Sequence, residues 1–231
     1  MGYEYAYLIG SLVMLLVWGI LYYLRKDVRH EMLIISIMFG IIGLFVDPIY
    51  SKDWWFPLTI TNTMPGIESF LFGFAVGGVS SVVYDIFFGK RVRIKKANKK
   101  MEEIRNLNLF FIMLIGGGLF FISFFIFQLN SFYASFPALL VPLAIILIKR
   151  KDLLLDSIFS GVLVAIISFI FYIAPEMMLP GWIASTWNFE MISGILVLGV
   201  PIEDLIWFFL AGLLIGPLYE YWKEGKLVDK K

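Results

Sequence analysis

The chain has 231 residues, 60% of them hydrophobic and 16% charged, with a formal net charge of +1 and no cysteine. That composition excludes disulfides, thiolate catalysis and cysteine metal sites. The apolar residues also come in long uncharged blocks rather than in the short periodic stripes of a soluble domain. Helices are the spanning option for blocks of this length, because lipid offers no partner to an open backbone. The expected class is therefore an all-α, polytopic membrane protein.

Taken in chain order, spans are expected at roughly 3–24, 31–50, 65–88, 107–128, 132–149, 154–174 and 200–222. The first block has no basic segment before it and is too long for the core of a cleaved signal peptide, so it reads as a span. The stretch from Asn106 to Ile148 carries no charge in 43 residues. As one helix it would measure ~65 Å, about twice the ~30 Å hydrocarbon core. It is expected to fold back once, at the polar break formed by Gln128, Asn130 and Ser131. Where a block is shorter than about 20 residues, adjacent polar and aromatic residues complete the crossing.

Charge placement fixes the expected topology. Basic clusters follow span 1 (Arg25, Lys26, Arg29), span 3 (Lys90 to Arg105), span 5 (Lys149, Arg150, Lys151) and span 7 (Lys223 to Lys231), and only Lys52 lies on the other side. The excess of Lys and Arg marks the cytoplasmic face. This predicts a multi-pass cell-membrane protein with seven spans, the N-terminus outside and the C-terminus in the cytoplasm. The basic loop 90–105 reads as a topogenic loop near anionic lipid rather than a nucleic-acid site. The single histidine, His30, falls in a cytoplasmic loop.

The sequence also repeats itself. A shift of 135 positions aligns Ile67-Glu68 with Ile202-Glu203, Gly77 with Gly212, Tyr84 with Tyr219 and Asp85 with Glu220. A shift of 125 aligns Arg25-Lys26-Asp27 with Arg150-Lys151-Asp152. Seven helices are thus expected as two parallel three-helix repeats joined by a linker helix. The first repeat covers 1–90, the basic loop and linker cover 91–130, and the second repeat with its tail covers 131–231. Repeats of this kind place functional sites at their interface.

Charges inside spans are functional candidates by default. Glu68, Glu203 and Asp204 fall in the first turn of a span, and Asp47 closes span 2 beside Pro48. Pro201 suits the start of a helix, and the helix dipole favours the acids that follow it. Ser69 replaces the second acid in the first repeat. The alternative for these acids is capping at the membrane interface. Around them fall Trp54, Trp55, Trp182, Trp187 and Trp207, with Phe56, Phe72 and Phe189. An aromatic belt explains part of that enrichment. The functional reading is a dry chamber in which a carboxylic acid delivers a proton and indole faces shelter a cation. Flavin, nicotinamide, P-loop, serine-hydrolase and zinc-protease motifs do not occur.

These residues resemble the small membrane lycopene cyclases, which are built from two related three-helix units with a Pro-x-Glu-Glu/Asp motif opening an aromatic span that closes near Tyr-Glu. The second unit here has Trp187-Asn188-Phe189, then Pro201-Ile202-Glu203-Asp204 and Tyr219-Glu220; the first has Asp47, Trp54-Trp55-Phe56, Gly66-Ile67-Glu68-Ser69 and Tyr84-Asp85. The likeness covers most of 7–85 and 132–222. Gly66 stands where the motif has proline, Ser69 where it has the second acid, and the second unit shows no counterpart of Asp47. The resemblance implies a non-redox isomerase (an intramolecular lyase) that cyclises a linear carotenoid end through an acid-generated carbocation, and no cofactor. On it, Glu68, Glu203 and Asp204 are the expected catalytic acids, and Asp47 with the five tryptophans the expected substrate-binding residues. Expected partners are a hydrophobic polyene, membrane lipid, and a second copy or other carotenoid-pathway enzymes, with no nucleic acid and no metal. A small-solute transporter of three-plus-one-plus-three repeat type and a non-catalytic membrane subunit are the alternatives.

Overall fold

A computed structural model describes residues 2–94 and 96–230. Seven helices are long and apolar enough to cross a membrane: Tyr3–Leu24, Arg29–Tyr50, Ile67–Phe87, Lys99–Ile126, Ser131–Lys149, Lys151–Met178 and Ile202–Lys223. The regular elements within them are α1 (Ala6–Leu24), α2 (Arg29–Tyr50), α3 (Ile67–Phe87), α4 (Lys99–Phe121), α5 (Ser131–Lys149), α6 (Leu154–Met178), the short α7 (Trp182–Thr186), α8 (Ile202–Ile215) and α9 (Leu218–Lys223). Gly216 and Pro217 separate α8 from α9 within the last span.

The 43-residue uncharged stretch folds back where its polar residues stand. A π turn at Ile122–Ile126 ends α4, and Gln128 takes a positive φ of 53°. Asn130 then caps α5 through its side-chain oxygen, which accepts from Phe132 N at 2.9 Å. The fourth span starts earlier than the uncharged block, at Lys99. Its first two turns are amphipathic and charged: Asn98 caps them, accepting from Met101 N, and Arg105 pairs with Glu102 and Glu224.

The basic segment after α3 is not a plain loop. Lys90–Arg93 forms β1, which pairs antiparallel with β4 (Lys226–Asp229) in the C-terminal segment, Lys90 opposite Asp229 and Arg93 opposite Lys226. At the opposite end of the bundle, Leu196–Val197 (β2) and Val200–Pro201 (β3) make a tight hairpin leading into α8. There also Trp55 and Trp187 form an antiparallel bridge: Phe56 N donates to Thr186 O and Asn188 N to Trp54 O.

α2 packs along α3 and α6 along α8, while α1 lies against both α3 and α6. Glycine makes the two pairings close. A Cβ on Gly43 would stand 2.5 Å from the Ser69 carbonyl oxygen, and one on Gly212 would stand 2.8 Å from Ser160 O. Small residues at such crossings replace the absent hydrophobic drive with close contact.

Two arginine clamps hold the basic end. Arg25 pairs with Asp27 and donates to the carbonyls of Asp85 (3.0 Å) and Lys90 (2.6 Å). Arg150 pairs with Asp152 and donates to the carbonyls of Glu220 (3.1 Å) and Gly225 (2.7 Å). The Asp27 carboxyl, hydrogen-bonded by Arg25 and Lys230, is held below the ordinary carboxylate range despite partial burial.

Candidate active site

The carboxylates of the tryptophan end divide into two kinds. Glu68 and Glu203 face backbone. Glu68 Oε1 accepts from Ile60 N at 2.9 Å and Glu203 Oε1 from Ser193 N at 2.7 Å. Each residue sits in the first turn of its helix, where the loop that precedes the helix folds back over the carboxyl. The second oxygen of each is buried without a partner. Neither residue lines the pocket or the cavity described below.

Asp47 and Asp204 face the interior. Asp47, near the end of α2, is 5% exposed. Its Oδ2 accepts from Ser69 Oγ at 2.6 Å and Tyr7 OH at 3.0 Å. Ser69 is placed by its own helix start, since its hydroxyl also accepts from Gly66 N at 3.2 Å. Asp204, in the first turn of α8, accepts from Tyr172 OH at 2.7 Å on Oδ1 and from Trp187 Nε1 at 2.8 Å on Oδ2. The N-terminal end of a helix dipole favours negative charge there.

The two sites are related by an exchange. The offset of 125 that aligns Arg25 with Arg150 brings Asp47 onto Tyr172, and the offset of 135 that aligns Glu68 with Glu203 brings Ser69 onto Asp204. In each case a hydroxyl donates to a carboxylate across two packed helices. The acid lies on the earlier helix in one pair and on the later helix in the other. By sequence offset Tyr172 takes the position of Asp47, which the sequence motif does not reveal. Extending the 125-residue offset along the second span would have found it. Tyr7 and Tyr50 carry no such signal, because an aromatic hydroxyl near a span end is ordinary in a membrane helix.

Asp47 and Asp204 line one aromatic pocket with Tyr50, Trp54, Trp55, Phe72, Tyr172, Trp187 and Trp207. Trp207 Nε1 donates to Tyr50 OH at 3.0 Å, and that hydroxyl lies 3.1 Å from Ser135 Oγ. Through Asp47, Tyr50, Phe72 and Trp207 the pocket continues into a cavity of about 160 Å³ that runs among α2, α3, α4, α5 and α8. Its farther wall is apolar: Phe39, Ile112, Leu139, Leu214 and Ile215, with Gly116 and Gly117 of α4. Four of the five expected tryptophans line the pocket. Trp182 does not; it is fully buried behind it, packed against Phe171 and Trp187.

The loop holding Trp54 and Trp55 is pinned by Asp53, whose carboxylate accepts from the Ser131 backbone N–H and hydroxyl. Burial pushes the Asp53 carboxyl above its ordinary value in spite of those hydrogen bonds.

Fold and site together define a seven-span helical membrane protein with a carboxylate-bearing aromatic pocket opening into an apolar intramembrane cavity. Residues 130–222 match the family model for lycopene cyclase. The matched segment carries Asp204, Tyr172, Trp182, Trp187 and Trp207; Asp47 lies outside it. Comparison with curated proteins and with solved structures gave no match.

Proposed function

We propose that the protein is an intramembrane carotenoid cyclase that closes a ring at the end of a linear polyene by acid-initiated carbocation chemistry. The observation that carries this reading is that Asp47 and Asp204 share an aromatic pocket continuous with an apolar cavity. The lycopene cyclase match over 130–222 supports the same enzyme class and substrate class. The apolar far wall suits a polyene tail and does not suit a polar solute.

The chemistry assigns roles to both acids. Asp47, in its acid form, delivers a proton to the terminal carbon–carbon double bond. The hydrogen bonds from Ser69 and Tyr7 both fall on Oδ2, which makes Oδ1 the better placed oxygen for delivery. The tertiary cation formed is attacked by an internal double bond, making the ring bond and moving the positive charge onto the ring. Loss of a ring proton restores a double bond, so that atoms and electrons balance with no oxidant or reductant. Asp204, held on both oxygens, supplies the counter-charge for the cation and accepts the released proton, which passes back to Asp47 across the shared pocket before the next turnover. The faces of Trp54, Trp55 and Trp207 stabilise the cation and exclude the water that would trap it as an alcohol. Glu68 and Glu203 act one step removed, by tying the preceding loops to α3 and α8 over the pocket.

The paired clamps of Arg25 and Arg150, the β1–β4 ladder, the Trp55–Trp187 bridge and the hydroxyl–carboxylate pairs support an organisation as two parallel three-helix repeats around an axis through these contacts. The gathering of basic residues at one end supports a cytoplasmic assignment for that end. On that reading the N-terminus lies outside, the C-terminus in the cytoplasm and the catalytic pocket toward the outer leaflet.

The test is expression in a bacterial host that accumulates lycopene, followed by pigment chromatography. Cyclised product is expected. Unchanged lycopene from a well-expressed, membrane-inserted protein would overturn the assignment.

A further inference from the structure

A second set of buried acids lies at the opposite end of the bundle from the pocket. Glu31 opens α2, Asp85 lies near the end of α3, Asp156 opens α6 and Glu220 belongs to α9. They are 3%, 2%, 3% and 1% exposed. Oxygens of Glu31, Asp85 and Glu220 all lie within 4.8 Å of one another. Asp156 adds its charge to that of Asp85 and Glu220; its Oδ1 accepts from Ser160 Oγ at 3.1 Å, and its Oδ2 is buried without a partner. Both oxygens of Asp85, Oε1 of Glu31 and Oε2 of Glu220 are likewise buried and unpartnered.

Among the described residues no ion pair reaches these four carboxyls, although Arg25 and Lys90 attract Asp85 at longer range. The nearby arginines turn away: Arg25 pairs with Asp27 and gives Asp85 only a bond to its main-chain carbonyl, and Arg150 pairs with Asp152 and treats Glu220 in the same way. The unpartnered carboxyl oxygens are left with no protein donor to satisfy them. Their gathering is tight enough for one ion to bridge: oxygens bound to a calcium-like ion at about 2.3–2.6 Å stand at most roughly 5.2 Å apart, and those of Glu31, Asp85 and Glu220 lie within 4.8 Å of one another.

We propose that Glu31, Asp85 and Glu220, with Asp156 adding negative charge beside them, form a buried site for one hard divalent cation, which ties the helices on either side of the linker together at the basic end. An all-carboxylate donor set selects magnesium, calcium or manganese over softer metals. The site is independent of the pocket chemistry and requires no part of it.

The test uses the full chain, purified in detergent and stripped with a chelator. Titration with Mn²⁺ alone, followed by electron paramagnetic resonance, is expected to show one tight ion per chain, displaced by Ca²⁺ or Mg²⁺, and adding any of these raises the unfolding temperature. Asp85→Asn and Glu220→Gln each weaken Mn²⁺ binding by at least about tenfold. Their metal-free forms are as stable as metal-free wild type or more so, because a like charge is gone. Absence of Mn²⁺ binding in the wild-type protein overturns the proposal without reference to any variant. So does binding that persists undiminished in both variants, which would place the ion elsewhere.

Discussion

Asp204→Asn separates a carboxylate that acts on developing charge from one that merely holds helices in place. A cation within the pocket that Asp204 shares with Trp54 and Trp207 would lie on the order of 5–6 Å from the carboxylate. At an effective dielectric of about 20 that attraction is worth roughly 3 kcal/mol, on the order of 100-fold in rate. The substitution also has a structural cost. The amide offers one acceptor oxygen to the two donors that now meet the carboxylate, Tyr172 OH and Trp187 Nε1. One buried donor is left facing an amide N–H, at about 1–3 kcal/mol of stability. Tyr172→Phe is the matched control, since it removes one of the same hydrogen bonds and keeps the charge. Initial rates of cyclisation by pigment chromatography, read beside unfolding temperatures in detergent, discriminate the two cases. Expected are a loss of about 100-fold for Asp204→Asn and less than about tenfold for Tyr172→Phe, at similar losses of stability. If the two variants lose activity in step with their unfolding temperatures, or if Asp204→Asn stays within about threefold of wild type, the electrostatic argument fails.

Further perturbations probe the cavity, the helix crossing and the basic end. Gly117 lines the cavity, and a Cβ there would meet nothing within 4 Å; Gly117→Leu is therefore expected to block substrate while leaving the unfolding temperature unchanged or slightly higher, since leucine also favours helix. Gly43→Ala puts a methyl 2.5 Å from the Ser69 carbonyl, and forcing α2 away from α3 should cost about 1–3 kcal/mol and lower activity through the Ser69–Asp47 contact. Asp27 is held low by Arg25 and Lys230, so its contribution is present in full above its unfolded value near 4 and lost as pH falls below that. Thermal unfolding from pH 7 to pH 3 should therefore fall less steeply in Asp27→Asn than in wild type.

Much of the fold was legible because the bilayer dictates length. The uncharged stretch 106–148 could not be one helix, and Gln128 and Asn130 stand where the chain turns. The start of α4 at Lys99 was hidden because its charged turns extend the helix past the apolar block, and hydropathy alone cannot see a helix continue into water. The β1–β4 ladder was hidden for a different reason. Lys-Arg-Val-Arg and Lys-Leu-Val-Asp have no strand signature beyond a loose alternation, and only closure of the bundle brings Lys90 opposite Asp229. For the pocket, residue type pointed to the aromatic and acidic cluster, but register decided which carboxyl faces inward. Within Glu203-Asp204 one side chain turns to a loop N–H and its neighbour to the cavity. Consecutive positions on a helix point about 100° apart, and which of them meets the cavity depends on how α8 is rotated against α6.

The exchange of acid and hydroxyl between the two helix pairs has a consequence for direction. Had both carboxyls stood on corresponding helices, the chamber would look the same from either half, and a polyene end lying across it would meet identical chemistry on its two faces. With Asp47 carried by α2 and Asp204 by α8, bonded by Ser69 and Tyr7 on one side and by Tyr172 and Trp187 on the other, the two faces differ. A guest entering along the apolar cavity therefore meets different partners on its two sides, and turning it end over end would not give the same set of contacts.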